Sequence, residues 1–89
     1  MVEGKTQSGF EFQINEKIFN DWDFVTLADA LRNGQATMKE INELFVMVLG
    51  ANGFDNLKKH IREANDGIVD AEVMKAEFAE IIQSTKAKN

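Results

Sequence analysis

Leu44-Phe45-Val46-Met47-Val48-Leu49, closed by Gly50, is an unbroken apolar run on which the choice of architecture turns. Six apolar side chains in a row point in every direction around a helix, and such a helix must be wrapped by its own fold or by another molecule. At 100° per residue, Met38, Ile41, Leu44, Phe45 and Val48 share one side, Leu49 lies at its margin, and Val46 and Met47 fall outside it. The helix that carries this run starts at Thr37, where Thr37-Met38-Lys39-Glu40 spells a capping box, and stops at Gly50. Six of its residues are therefore apolar without a break, and two of them are not needed by the local core stripe.

Working outward, three more helical segments carry their own punctuation. Residues 21–32 place Phe24, Leu27, Ala28 and Leu31 on one stripe, with Asn20 or Asp21 as N-cap and Gly34 as the stop. Residues 52–64 align Phe54, Leu57, Ile61 and Ala64, with Gly67 beyond the end. The last helix starts at Asp70, with Val69 and Met74 spaced as a hydrophobic staple and Met74, Phe78, Ile81 and Ile82 as its buried face. The first fifteen residues differ: Phe10, Phe12 and Ile14 alternate with polar neighbours, the period of a half-buried strand. Residues 2–6 are its natural partner across Gln7-Ser8-Gly9, and a lone hairpin needs its apolar face covered to be stable. The expected class is mainly α (α+β), an N-terminal β-hairpin followed by four short helices around one core. The chain reads as a single domain over 1–89, with the hairpin in 1–15, the helical core in 20–83 and a polar, frayed tail in 84–89.

Composition narrows the function. Eighty-nine residues support one small core, 44% hydrophobic and 28% charged content is that of a globular chain, and there is neither cysteine nor proline. No disulfide, thiolate metal site or thiol nucleophile is possible, and absence of cysteine fits a reducing compartment. The start lacks the basic and apolar regions of a signal peptide, and no apolar run approaches a membrane span. These features read as a cytoplasmic protein with no membrane partner. A net charge of −5 argues against nucleic acid, because the basic knot Lys58-Lys59-His60 with Arg62 spreads around a helix among acids.

Chemistry finds no foothold in the pattern. Asp29, Asn33, Gly34, Thr37 and Glu40 fit positions 1, 5, 6, 9 and 12 of a calcium loop, but Leu31 at position 3 offers no oxygen, leaving at most a degenerate EF-hand-like module without calcium. His60 is the only histidine, and Ser8 and Ser84, the only serines, fall in a turn and a tail, so His60 reads as a half-buried structural residue. The carboxylate pairs Asp21/Asp23, Glu40/Glu43 and Glu77/Glu80 read as solvated, without the cleft that catalytic acids need. No cofactor, metal or catalytic residue is expected, and the chain does not read as an enzyme.

Two readings remain for the apolar excess. In one, the second helix is central and Trp22 covers the hairpin. In the other, Val46, Met47, Leu49, Trp22 and Val25 contribute to a surface for self-association or for a partner.

The order of short motifs adds a resemblance. Ser8-Gly9-Phe10-Glu11-Phe12-Gln13-Ile14 is followed by Asp21-Trp22-Asp23-Phe24-Val25, then Leu49-Gly50, Leu57 and His60-Ile61-Arg62. Asp66-Gly67-Ile68-Val69 and Glu77-Phe78-Ala79-Glu80-Ile81 close the series. This order resembles the small tail assembly chaperones of Gram-positive siphophages and prophages over nearly the whole chain. The resemblance implies a non-catalytic protein that binds the long apolar tape measure protein, helps recruit tail tube subunits and forms homo-oligomers. It also implies action in the cytoplasm of an infected or lysogenic bacterial host, and absence from the mature virion. A generic protein-interaction adaptor is the alternative reading.

Overall fold

The computed structural model describes residues 1–87, with side chains described through Thr85. Strands β1 (Val2–Lys5) and β2 (Glu11–Ile14) pair antiparallel, with Val2 opposite Ile14 and Gly4 opposite Phe12. The turn closes through the Thr6 amide, which donates to the Phe10 carbonyl, and the Gly9 amide, which donates to the Thr6 carbonyl. Gly9 takes φ +96°, a conformation that glycine adopts without a steric penalty. Phe10, Phe12 and Ile14 are all buried, so the alternation predicted for this strand places its apolar face on the helices as expected. The Phe12 ring lies over Gly4, where any Cβ would overlap it.

A 3-10 turn (Glu16–Asn20), not foreseen from the sequence, leads into α1 (Trp22–Arg32). Asp21 caps α1 by accepting a hydrogen bond from the Phe24 amide at 3.1 Å. Phe19 of the turn meets Phe24 edge to face, with ring centroids 5.4 Å apart. Helix α2 (Met38–Ala64) and helix α3 (Ala71–Ala87) complete the chain. The described residues form three α-helices where the glycines predicted four. Gly50 was expected to terminate a helix, but helical geometry resumes at the next residue, so 38–49 and 51–64 are two limbs of one bent element. The bend is concentrated in Gly50 itself, at φ 78° and ψ 163°. The tail is also corrected: α3 continues through Ser84 to Ala87, with Thr85 fully buried and its hydroxyl donating to the Ile81 carbonyl at 2.8 Å. The polarity of 84–89 concealed this, because a threonine satisfied by its own helix can be buried cheaply. Lys88 and Asn89 lie outside the described residues.

The core forms where the hairpin meets both limbs of α2 and the middle of α3. Phe10, Phe12, Ile14, Phe45, Val48, Phe54, Leu57, Ile61, Met74 and Ile81 form one buried cluster. The Phe45 ring is its hinge: it stacks on Phe54 at 4.9 Å and touches Phe78 at 4.4 Å, so the bend at Gly50 brings the two limbs together over an aromatic contact. The predicted capping box is present in both directions. The Glu40 amide donates to Thr37 Oγ1 at 3.1 Å and the Thr37 amide donates to Glu40 Oε1 at 2.9 Å. Thr37→Ala removes one of these bonds and should lower stability by about 1 kcal/mol, read as a shift in the urea midpoint at constant slope.

Candidate functional site

Helix α1 is amphipathic, yet none of its side chains is fully buried. Both α2 and α3 bury several residues, among them Leu44, Phe45 and Val48 on α2 and Met74 and Ile81 on α3. The reason is geometric: α1 leans on α2 and on the 3-10 turn and leaves a groove on each side. The first groove lies between α1 and the outer face of the first α2 limb, lined by Asp23, Leu27, Lys39, Glu43, Val46 and Met47 among others. The second lies between α1 and α3. Its apolar lining includes Val25, Ala28, Leu44, Phe45, Phe78 and Ile82, and Arg32 and Lys75 stand along it.

The five residues read as an interface do not form one patch. Val46 (41% exposed) and half-buried Met47 share the first groove. Val25 lines the second groove. Leu49 is half-buried against the core cluster, consistent with its marginal place on the helical wheel. Trp22 is 83% exposed and lines neither groove. The expectation that Trp22 covers the hairpin is thus overturned. As the first residue of α1 it lies nearly opposite the Phe24–Leu31 stripe, and that stripe faces the protein. Nor is the first α2 limb buried all round, since Val46 and Met38 remain exposed.

A second constellation escaped sequence reading. The Ser8 hydroxyl, in the hairpin turn, sits 2.5 Å from Glu77 Oε1 on α3, 3.0 Å from His60 Nε2 on α2 and 3.1 Å from Thr6 Oγ1. Glu77 is only 6% exposed, and its Oε2 has no hydrogen-bond partner among the described residues. Next to it, Glu80 Oε2 accepts the Gln7 amide at 2.7 Å. The reading of Glu77 and Glu80 as a solvated pair is therefore overturned: both carboxylates tether the hairpin turn to α3. The signal was present, because Met74, Glu77 and Ile81 occur at i, i+3 and i+7 and put Glu77 inside the buried stripe.

Serine, histidine and glutamate together invite comparison with a hydrolytic triad, but the wiring differs. Ser8 has one proton, and its hydroxyl donates it to Glu77 Oε1. Ser8 must then accept from His60 Nε2–H, the reverse of a serine activated by a histidine base. An oxyanion also needs free donors nearby. The turn amides of Gln7, Gly9 and Phe10 are already committed to Glu80, the Thr6 carbonyl and Thr6 Oγ1. His60 is half-buried with its ring 5.7 Å from that of Phe10, as a structural histidine would be. The hub's chemistry is that of a clasp across three elements.

The residues of the incomplete calcium loop are engaged in helix ends. Thr37 and Glu40 form the capping box, and Asn33 Nδ2 donates to Asp29 Oδ2 at 3.4 Å. Among the described residues no group of three or more His, Cys, Asp or Glu is placed to hold a metal ion. Within the basic knot, Lys58 pairs with Asp55 at 3.5 Å and its ammonium lies 4.3 Å from the centroid of the Phe54 ring. No described helix is long and apolar enough to cross a membrane. Comparisons with protein families, with curated proteins and with solved structures found no match to this chain.

Proposed function

We propose that this chain is a non-catalytic binding module that acts as a tail assembly chaperone, holding the apolar tape measure protein in soluble form in the host cytoplasm and helping tail tube subunits assemble on it. The observation that supports this reading is α1, an amphipathic helix with no fully buried side chain and an apolar-walled groove on either side. A helix that keeps apolar surface accessible in an acidic chain suits a protein that shields another's apolar segments while staying soluble itself. The committed hydrogen bonds around Ser8 support the non-catalytic part of the reading. Self-association through exposed apolar residues belongs to the same proposal.

The test is co-expression with a tape measure fragment. The fragment should move from the insoluble to the soluble fraction and co-purify with this chain; no gain in its solubility would overturn the proposal. Val46→Asp should leave stability within about 0.5 kcal/mol because the site is open to solvent. Met47→Asp, at a half-buried site, should cost about 1 kcal/mol and leave the domain folded, and both should abolish association. Unfolding of both variants would instead make Val46 and Met47 part of the protein's own core.

A further inference from the structure

We infer that the groove between α1 and α3 receives an amphipathic helix whose apolar stripe is edged with carboxylates. This rests on the binding-module reading and names the kind of partner segment that one of its two grooves fits. Along α3 the lining runs from Lys75 to Gln83, and along α1 from Phe24 to Arg32. Each stretch is about 12 Å at helical rise, so the groove accommodates roughly two turns of a guest helix. Small side chains, Ala28 on one wall and Ala79 on the other, leave room between the helices, and the touching Phe45 and Phe78 rings lie against the space. A guest presenting apolar residues at i, i+3 or i+4, and i+7 fits this shape. Both walls are helices, so no strand edge is offered there to an extended peptide.

Charge selects the guest's edges. The chain carries 15 acidic residues against 10 basic ones, yet the ionisable side chains lining this groove are Arg32 on α1 and Lys75 on α3. One cation stands on each wall, and both are exposed. The contact of Lys75 with Glu72, at 3.7 Å between two solvent-exposed side chains, is too weak to withdraw it from a partner. The groove on the other side of α1 has the opposite balance, with Asp23 and Glu43 against Lys39. Carboxylates on both edges of a guest stripe would therefore meet cations in the α1–α3 groove and anions in the other. A second copy of this chain, itself at −5, is the less favoured occupant.

The experiment uses the full chain and two fluorescently labelled helical peptides sharing one apolar stripe, one edged with glutamate and one with lysine. Anisotropy titration should show the glutamate-edged peptide binding about tenfold more tightly, the scale of two rim ion pairs. Arg32→Glu with Lys75→Glu should reverse that preference, and Ala28→Trp should weaken both peptides by filling the groove. Equal binding of the two peptides, or a preference that survives the charge reversal, would overturn the inference. So would loss of binding in Met47→Asp but not in Ala28→Trp, which would move the guest to the other groove. A dimer in sedimentation that Val25→Asp dissociates would assign the groove to a second copy. The chaperone reading fails separately: a tape measure fragment left insoluble, beside charge-dependent binding of the glutamate-edged peptide, would remove the chaperone and keep the groove. A solubilised fragment with no peptide preference would do the reverse.

Discussion

Gly50→Ala is expected to destabilise the protein by about 1–3 kcal/mol, although alanine inside an ordinary helix gains about 0.5–1 kcal/mol over glycine. The sign reverses because Gly50 sits at φ 78° and ψ 163°, a region that residues with a Cβ essentially do not enter. Sterics with neighbours play no part, since an added Cβ would meet no atom within 4 Å. The whole effect lies in the backbone. The alternative open to the variant is to straighten α2, but an unbroken helix over 38–64 would be about 40 Å long. It would pull Phe54, Leu57 and Ile61 away from Phe45 and the hairpin. A thermal melt should show a drop of about 4–8 °C for each kcal/mol lost. A variant that melts higher than the parent, with more helical signal in circular dichroism, would mean that the bend is not built into the folded state.

Ser8→Ala should cost about 1–3 kcal/mol, far more than the few tenths normal for an exposed turn residue. Among the described residues the serine hydroxyl is the only hydrogen-bond partner of the buried Glu77 carboxyl, whose other oxygen has none. Removing it leaves a buried carboxyl with no hydrogen-bond partner among the described residues. A double-mutant cycle separates this from loss of the turn itself. Glu77→Leu alone removes the acceptor, and Ser8→Ala with Glu77→Leu removes both partners, which should recover a good part of the single-variant loss. Strict additivity of the two single losses in urea denaturation would show that the two side chains do not act on each other.

Helix starts and strand alternation were legible because their causes are local. The Thr37/Glu40 box, the Asp21 cap and the inward face of Phe10, Phe12 and Ile14 depend on residues a few positions apart. A helical wheel divided most of the Leu44–Leu49 run: Leu44, Phe45 and Val48 are buried and Val46 is open, while Met47, placed outside the stripe with Val46, is half-buried in the groove against α1. What could not be read locally was whether Gly50 ends a helix or bends one, since the deciding contact is Phe45 with Phe54 across the bend. The same limit hid the Ser8 clasp, whose partners are separated by 52 and 69 positions. It also hid the grooves, because the wheel of α1 shows which side is apolar but not that α2 and α3 leave that side incompletely covered. The partition of the apolar excess among two grooves and the core is a property of how three helices meet.

The clasp between the hairpin turn and α3 also sets a timetable for the chain as it leaves the ribosome. Residues 2–14 are synthesised roughly sixty positions ahead of the segment that holds Glu77 and Glu80, a delay of about 3–12 s at ordinary translation rates. A two-stranded hairpin does not persist alone in water. During that interval Phe10, Phe12 and Ile14 have no complete surface to pack on, and the hairpin waits in a loose, sticky state until the last helix emerges. Its earliest strands are thus among the last parts of the molecule to become secure.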